Sequence, residues 1–292
     1  MFKKAFSHHQ TEHGDKPPGN PEHSFGFFLP KVLFHLFRTT QGGLKLDLLH
    51  FCMAYWGIHM DCANFDFSDL HRHGLAFYQF LALRKQVFVD ELKWDVPHND
   101  TVEMDQYDTP MAHYSVVWHQ GRVIGGARAM ATTATWGEHT YMLRDAYSGK
   151  LKHIPPHIMS VDIASPRVWE CTRLVIASDI ATQAERAECL RLIVDGLVDT
   201  VRKHGAEEMI CLSSLHLMRA LRQMGYKVDR LGETYQNAED GRTYGVLRMP
   251  AEYSNARKAL IQNNASVHRL SDARPRPEFA PAARPQEWAT AV

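Results

Sequence analysis

Apolar positions along the chain change their period several times, and each change marks an element. Over 74–93, Leu75, Tyr78, Leu81 and Phe88 recur near helical spacing and Val87 and Leu92 extend the face, so the period predicts a helix. Pro97 sets a break after it. Residues 98–110 combine Asn, Asp and Pro with no apolar period, which predicts a loop. AHYSVVW at 112–118 and RVIGGARAM at 122–130 flank His119-Gln120-Gly121 and read as a hairpin. Gly125 and Gly126 inside the second strand predict a bulge or a close backbone approach. A short helix and loops follow over 141–160, then a strand over 167–177.

The clearest helix spans 182–204. Thr182 and Glu185 form a capping box, and Gly205 follows the basic end Arg202-Lys203-His204. Ala187, Leu190, Val194, Leu197, Val198 and Val201 mark its buried face. A strand at 208–212, a helix at 214–224 ended by Gly225, and strands near 226–231 and 243–249 close the domain. This order predicts an α/β sandwich with a mixed central β-sheet flanked by helices.

The flanks differ in character. Residues 1–30 are rich in His, Gly and Pro and are expected to be disordered, with His8, His9, His13 and His23 in a solvated tail. Residues 31–70 form an expected N-terminal helical extension, read as packed on the core in preference to an interfacial helix or a dimer contact. Its longer apolar run is interrupted by Asp47 and His50 and is too short for a transmembrane span, which needs about 20 apolar residues. The main domain is expected over 71–255, with a Pro- and Arg-rich flexible tail over 256–292.

Composition narrows the function. Acidic and basic residues balance at 33 each, which argues against general nucleic-acid binding, since that needs a basic surface to displace phosphate counterions. The five cysteines are odd in number and show no paired spacing, so they read as reduced thiols in a cytoplasmic protein, and no secretory signal is visible.

The chemistry concentrates between Leu83 and Arg173. Arg84, Phe88 and Trp94 come first, then Glu103, Asp105 and Asp108, then Arg128 at a strand end, then Glu170-Cys171-Thr172-Arg173. Carboxylates, guanidiniums and aromatics alternating with apolar segments predict a buried polar cleft. In strict strand alternation Glu170 and Arg173 face opposite sides, so a bulge or a strand end is needed to bring them to one site.

In this order the residues resemble the acyl-homoserine lactone synthases, the autoinducer-synthase family. The family pattern is Arg, Phe and Trp, then Glu-x-Asp-x-x-Asp, then Arg ending a strand, then Glu-x-(Ser/Thr)-Arg, and every element is present. The resemblance implies a GNAT-like acyltransferase fold. It implies a two-step reaction: the amine of S-adenosylmethionine attacks an acyl thioester on acyl carrier protein, then the methionine carboxylate displaces methylthioadenosine to leave a lactone. It implies no metal, no cofactor beyond these two substrates, and no covalent protein nucleophile.

The residue types suit that chemistry. Glu103 and Glu170 are candidate bases for the amine, and Arg128 completes the catalytic set. A structural ion pair of Glu170 with Arg173 or Arg128 is the competing reading. Trp94 and Phe88 offer faces to the sulfonium, with Asp105 and Asp108 supplying charge. Core packing of Phe88 and loop capping by the two Asp residues are the plain alternatives. Arg84, Arg128 and Arg173 could bind a carboxylate, and collectively they balance the acids.

An apolar tunnel for the acyl chain is expected at Val116, Met130, Leu174, Ile176, Leu212, Leu217, Met218 and Leu221. Lys150, Lys152, Arg167, Lys203 and Arg222 are candidates for docking an acidic carrier protein. The rival functions are another N-acyltransferase of this fold, using acyl carrier protein or CoA on a different amine, and a non-enzymatic scaffold. Residues 176–181 lack the glycines that cradle a CoA pyrophosphate, which argues for a carrier-protein thioester.

Overall fold

The computed structural model describes residues 60–262 apart from 256 and 260. The segment expected to be disordered, residues 31–59 of the extension and the tail beyond 262 lie outside the described residues. Among the described residues seven strands form one sheet: β1 (Asp61–Asp66), β2 (His113–His119), β3 (Arg122–Ala131), β4 (Val168–Ile176), β5 (Glu208–Ser214), β6 (Asp229–Gln236) and β7 (Thr243–Pro250). Their order is β1-β2-β3-β4-β5-β7-β6. Every neighbouring pair is antiparallel except β4 and β5. The mixed sheet between helices is the α/β sandwich that the element order predicts.

Four helices position the site: α1 (Ala76–Arg84), α2 (Met142–Tyr147), α3 (Gln183–Lys203) and α4 (Leu215–Gln223). The α3 capping box forms as expected: Thr182 accepts from the Glu185 amide at 3.1 Å, and the Glu185 carboxylate accepts from the Thr182 amide at 2.8 Å. Its buried stripe, including Leu190, Val194, Leu197, Val198 and Val201, covers one face of the sheet. α1 packs on the other.

The two adjacent glycines of β3 let both helices approach. A Cβ at Gly125 would stand 2.6 Å from Cys189 Sγ of α3, and one at Gly126 would stand 2.8 Å from the Phe80 ring of α1. Successive strand residues face opposite sides, so one Gly-Gly pair makes a notch on each face.

Several expectations are corrected. The segment called helical over 31–70 contains strand β1, which pairs with β2 from Asp61↔Trp118 to Asp66↔His113, so the sheet begins before residue 71. Past β7, helical residues reach 262, inside the stretch expected as tail. Leu75 and Tyr78, expected on the buried face of the first helix, are exposed, and the buried side is Phe80, Leu81, Leu83 and Arg84. Phe80 seats in the Gly126 notch and decides the face. From Lys85 to Glu91 the helix continues as π-helix, which shifts the angular register that an α-periodic reading assumes. β6 runs over 229–236, later than expected, because Gly232 (φ 79°) sits in a bulge that interrupts the apolar pattern.

One feature of the sheet positions the site. β4 and β5 are paired only from Val168↔Glu208 to Glu170↔Ile210. Beyond Glu170 and Ile210 the parallel strands diverge, and a wedge opens in the middle of the sheet.

Replacing Gly126 by Ala is expected to destabilise the protein by about 1–3 kcal/mol through overpacking against Phe80 and the Ser115 carbonyl, read as a lower midpoint in chemical denaturation. A wild-type midpoint would mean that α1 does not seat in the β3 notch.

Candidate active site

Three arginines and three carboxylates from four separate segments close a ring. Arg84, the last residue of α1, donates from Nε to Glu103 Oε2 at 2.5 Å and from both terminal nitrogens to Asp108 at 2.8 Å. Arg128 of β3 contacts Asp108 Oδ1 at 3.0 Å and donates to both oxygens of Asp105, at 2.5 and 3.1 Å. Arg173 of β4 meets Asp105 at 2.6 Å and returns to Glu103 at 3.2 Å. Each charge therefore touches two of the opposite sign. Arg84 is 0 % exposed and Arg128 1 %.

The loop 98–110 delivers its three acids because its backbone is tied down. The Glu103 amide donates to the Leu81 carbonyl, and the Asp105 amide donates to Asp108 Oδ2. The Tyr107 amide donates to Asp105 Oδ1, an Asx turn, so loop capping and ion pairing hold together for Asp105. Each guanidinium also lies over an aromatic ring: Arg84 over Phe80, Arg128 over Tyr107 and Arg173 over Phe88, at 5.5–5.6 Å. Burial alone would raise the Asp105 and Asp108 carboxyls. The neighbouring guanidiniums outweigh it and hold both below the ordinary aspartate value.

The anticipated bulge is present in β4. Gly126 pairs with Val175 but Arg128 pairs with Thr172, so two steps on β3 match three on β4. Arg173 takes φ 55° there, uncommon for a residue with a Cβ. The extra residue brings Arg173 to the carboxylate that Arg128 also holds.

Glu170 stands outside the ring. It is 2 % exposed, and its two oxygens accept from the Met142 and Leu143 amides at 2.9 and 2.8 Å, the first turn of α2. Among the ion pairs of the described residues it has none with Arg128 or Arg173, so the competing structural reading gives way to amide capping. Burial pushes its carboxyl up from 4.5 to about 7, against the two amides and Arg128, which lower it. Glu103, the other candidate base, is locked between Arg84 and Arg173.

Beside this polar block lies a cavity of about 740 Å³, filling the wedge between β4 and β5. Phe88 and Trp94 line one end as a parallel stack, centroids 5.0 Å apart and planes 2° apart. The Trp94 indole donates to Asp240 at 3.1 Å, which ties it to the β6–β7 turn. Asp105 and Arg173 reach the same wall. Arg84, Glu103, Asp108, Arg128 and Glu170 do not line the cavity.

The apolar remainder includes Leu174, Ile176, Leu212, Leu217 and Leu221, as expected for the tunnel. Val116 and Met130 are instead packed in the core, and Met218 is packed against it. Of the expected basic dock only Lys150 and Lys152 line the cavity; Arg167 pairs with Glu207, Lys203 lines a separate recess and Arg222 bonds the Val228 carbonyl.

Some contributors escape a motif reading. Tyr107 lines the cavity and donates to Asp145 at 3.1 Å. Tyr244 packs edge-on against Trp94. The Met142 and Leu143 amides carry no side-chain signature, but one sign was available. α2 begins after Tyr141, which cannot cap it, so its orphan amides need an acceptor from elsewhere.

A sequence profile described as autoinducer synthase matches residues 68–259. The acyl-homoserine-lactone synthase of Acinetobacter nosocomialis is 29% identical over 174 residues, covering 57% of this chain and 87% of the relative. That of Aeromonas salmonicida is 29% identical over 197 residues, covering 61% and 89%. Among solved structures, TofI in a ternary complex with an inhibitor and MTA superposes with a TM-score of 0.53 at 24% identity, covering 66% of this chain and 92% of that one. The structure of a CoA-dependent acyl-homoserine lactone synthase, BjaI, with SAM and isopentyl-CoA gives a TM-score of 0.54 at 18% identity, covering 66% of this chain and 84% of that one. At these identities the structural likeness speaks for the fold.

Opening the ring should be costly. Arg128→Ala leaves two buried aspartates short of a partner and is expected to lower stability by roughly 3–5 kcal/mol. Adding Asp105→Asn should restore part of that loss in a double-mutant cycle; simple additivity would deny the coupling. With pH, the two aspartates contribute stability above the ordinary value of 3.8 that is lost as pH falls. Glu170 has the opposite sign: its contribution is complete below 4.5 and lost as pH rises through about 7.

Proposed function

The chain belongs to the autoinducer synthase family, and from that premise we propose that it is an acyl-homoserine lactone synthase producing a quorum-sensing signal. Its substrates are S-adenosylmethionine and an acyl thioester. The observation that carries the reading is the two-part lining of the wedge, charged and aromatic at one end and aliphatic along β4, β5 and α4. A sulfonium amino acid and a fatty acyl chain require those two environments side by side.

In this reading Trp94, backed by its stack on Phe88, turns its outer face to the S-adenosylmethionine cation, with the Asp105 carboxylate nearby. Arg173 turns its cavity-facing edge to the substrate carboxylate. Arg84, Glu103, Asp108 and Arg128 hold Asp105 and Arg173 in place, so Glu103 and Arg128 act as positioning residues. Glu170 is the base. Each of its oxygens keeps a lone pair beyond the amide it accepts, and a carboxyl near 7 takes a proton readily at neutral pH. Because Glu170 does not line the cavity, the amine proton reaches it through a water.

The first step forms the amide N–C bond and expels the donor thiol. The second forms a C–O bond as the substrate carboxylate attacks its own γ-carbon, and the C–S bond breaks with its electrons leaving on methylthioadenosine. Holding carboxylate and carbon in line is the main requirement of that closure.

For the donor we favour acyl carrier protein over CoA. The loop before α3 has no glycine, and the α3 N-terminus is closed by Thr182 and Glu185, leaving a carboxylate where a pyrophosphate would sit. Lys150 and Lys152 on the rim offer a basic patch for an acidic carrier. We place the enzyme in the cytoplasm, in keeping with free thiols at Cys62, Cys171, Cys189 and Cys211. No helix among the described residues is long and apolar enough to cross a membrane.

Purified protein is expected to release methylthioadenosine from S-adenosylmethionine with an acyl-carrier thioester, and more slowly with the matching acyl-CoA. Free thiol without methylthioadenosine would indicate acyl transfer to another amine, and neither product would indicate a scaffold. Glu170→Gln is expected to cut kcat by about 10²–10⁴-fold while the protein stays folded. The wild-type rate should rise with pH through a midpoint near 7, as Glu170 loses its proton, and that limb should vanish in Glu170→Gln.

A further inference from the structure

Among the buried carboxylates outside the ring and the cavity lining, one gathers a cluster of partners of its own. Asp145 lies in α2 and is 1 % exposed. It accepts from Thr140 Oγ1 at 2.7 Å, from the Thr140 amide at 3.3 Å and from Tyr107 Oη at 3.1 Å. His139 Nδ1 and Lys150 Nζ each stand 3.2 Å away. These partners come from three places: the loop before α2, the cavity-lining Tyr107, and Lys150 on the rim. Lys150 also donates to the Glu138 carbonyl, which closes the loop onto the end of the helix.

What this gathering holds still is the first turn of α2. That turn carries the Met142 and Leu143 amides, and both point at Glu170. Six residues cannot form a rigid helix by their own hydrogen bonds, because a short helix is dominated by its nucleation cost. Tyr141 supplies no cap. External ties must set where the amides stand, and Asp145 collects more of them than any other side chain of this helix.

We propose that Asp145 is a positioning residue: by clamping Thr140, Tyr107 and Lys150 around the start of α2, it fixes the two amide donors on the Glu170 carboxylate. The proposal deepens the reading of Glu170 as the base and rests on it for its catalytic meaning. The groups around Glu170 are Arg128 on β3, Asp105 and Tyr107 in the acidic loop, Tyr141 at the start of α2, and Cys171 and Cys211 on β4 and β5. Around Asp145 stand Tyr107, His139, Arg144 and Lys150. The amides favour the charged form of Glu170. Looser amides therefore raise its titration midpoint, whereas removal of a nearby negative charge lowers it. The two effects have opposite sign and can be told apart.

The test is direct titration of the Glu170 carboxyl by carbon-detected NMR, without turnover, in wild type and in Asp145→Asn. The expected result is an upward shift of about one unit, the size of losing one good amide bond to a carboxylate. The alkaline-rising limb of the rate should move by the same amount, and Asp145→Glu should recover part of both. An unchanged or lowered midpoint in a folded Asp145→Asn protein overturns the proposal. If Asp145→Asn does not fold, Thr140→Val, which deletes the shortest tie, carries the test: a smaller upward shift supports it and no shift overturns it. If instead the Glu170 midpoint shifts as expected while the rate limb stays fixed, the positioning role stands and the assignment of Glu170 as the base falls.

Discussion

A closed circuit of six buried charges governs this protein. Arg84, Arg128 and Arg173 alternate with Glu103, Asp105 and Asp108, and each touches two of the opposite sign. Isolated, any one of these groups would cost several kcal/mol to desolvate. Closed, the circuit is neutral and leaves no arginine or carboxylate of its own without a partner. Among the described residues no buried side-chain nitrogen or oxygen lacks a hydrogen-bond partner. Because the members come from α1, the acidic loop, β3 and β4, the circuit also welds these segments together. The price is intolerance: any single change breaks two contacts at once.

This weld makes the wedge usable. A parallel pair that splays after three residues would expose polar backbone edges and an apolar floor to each other. Here one flank of the wedge is bounded by the circuit, through Asp105 and Arg173, and by the Phe88–Trp94 stack. The circuit presents only those two charged members to the cavity. Charge reaches the cavity from a rigid backing, the kind of preorganised setting that favours alignment over a reactive protein group. Glu170 is tuned separately, by burial against two amides, and so can stay near neutrality while carboxylates close by are held deep in their charged form.

Much was legible in the chain. The period of α3, its capping box, the β2–β3 hairpin and the need for an irregularity in β4 follow from spacing, because capping and strand alternation are local rules. Gly125 and Gly126 announce close packing, although which helix fills which notch is not written there. The first helix misled on its buried face, since a π-helical continuation and the seat of Phe80 override an α-periodic reading. β1 hid in a stretch read as helical, because an edge strand of six residues carries little periodic signal and is made by its partner.

By itself the sequence determined the sandwich, the family pattern and the identity of the nine polar and aromatic positions, since each rests on residue type and order. Only the tertiary structure decided their division of labour. It set four of them, Phe88, Trp94, Asp105 and Arg173, on the cavity lining and left five off it. It gave Glu170 to the amides of α2 and withheld it from the arginines, and it gathered Thr140, Tyr107 and Lys150 on Asp145. The reason is physical: a charged side chain's role depends on which opposite charge, amide or solvent it meets in space, and those partners lie tens of residues away along the chain.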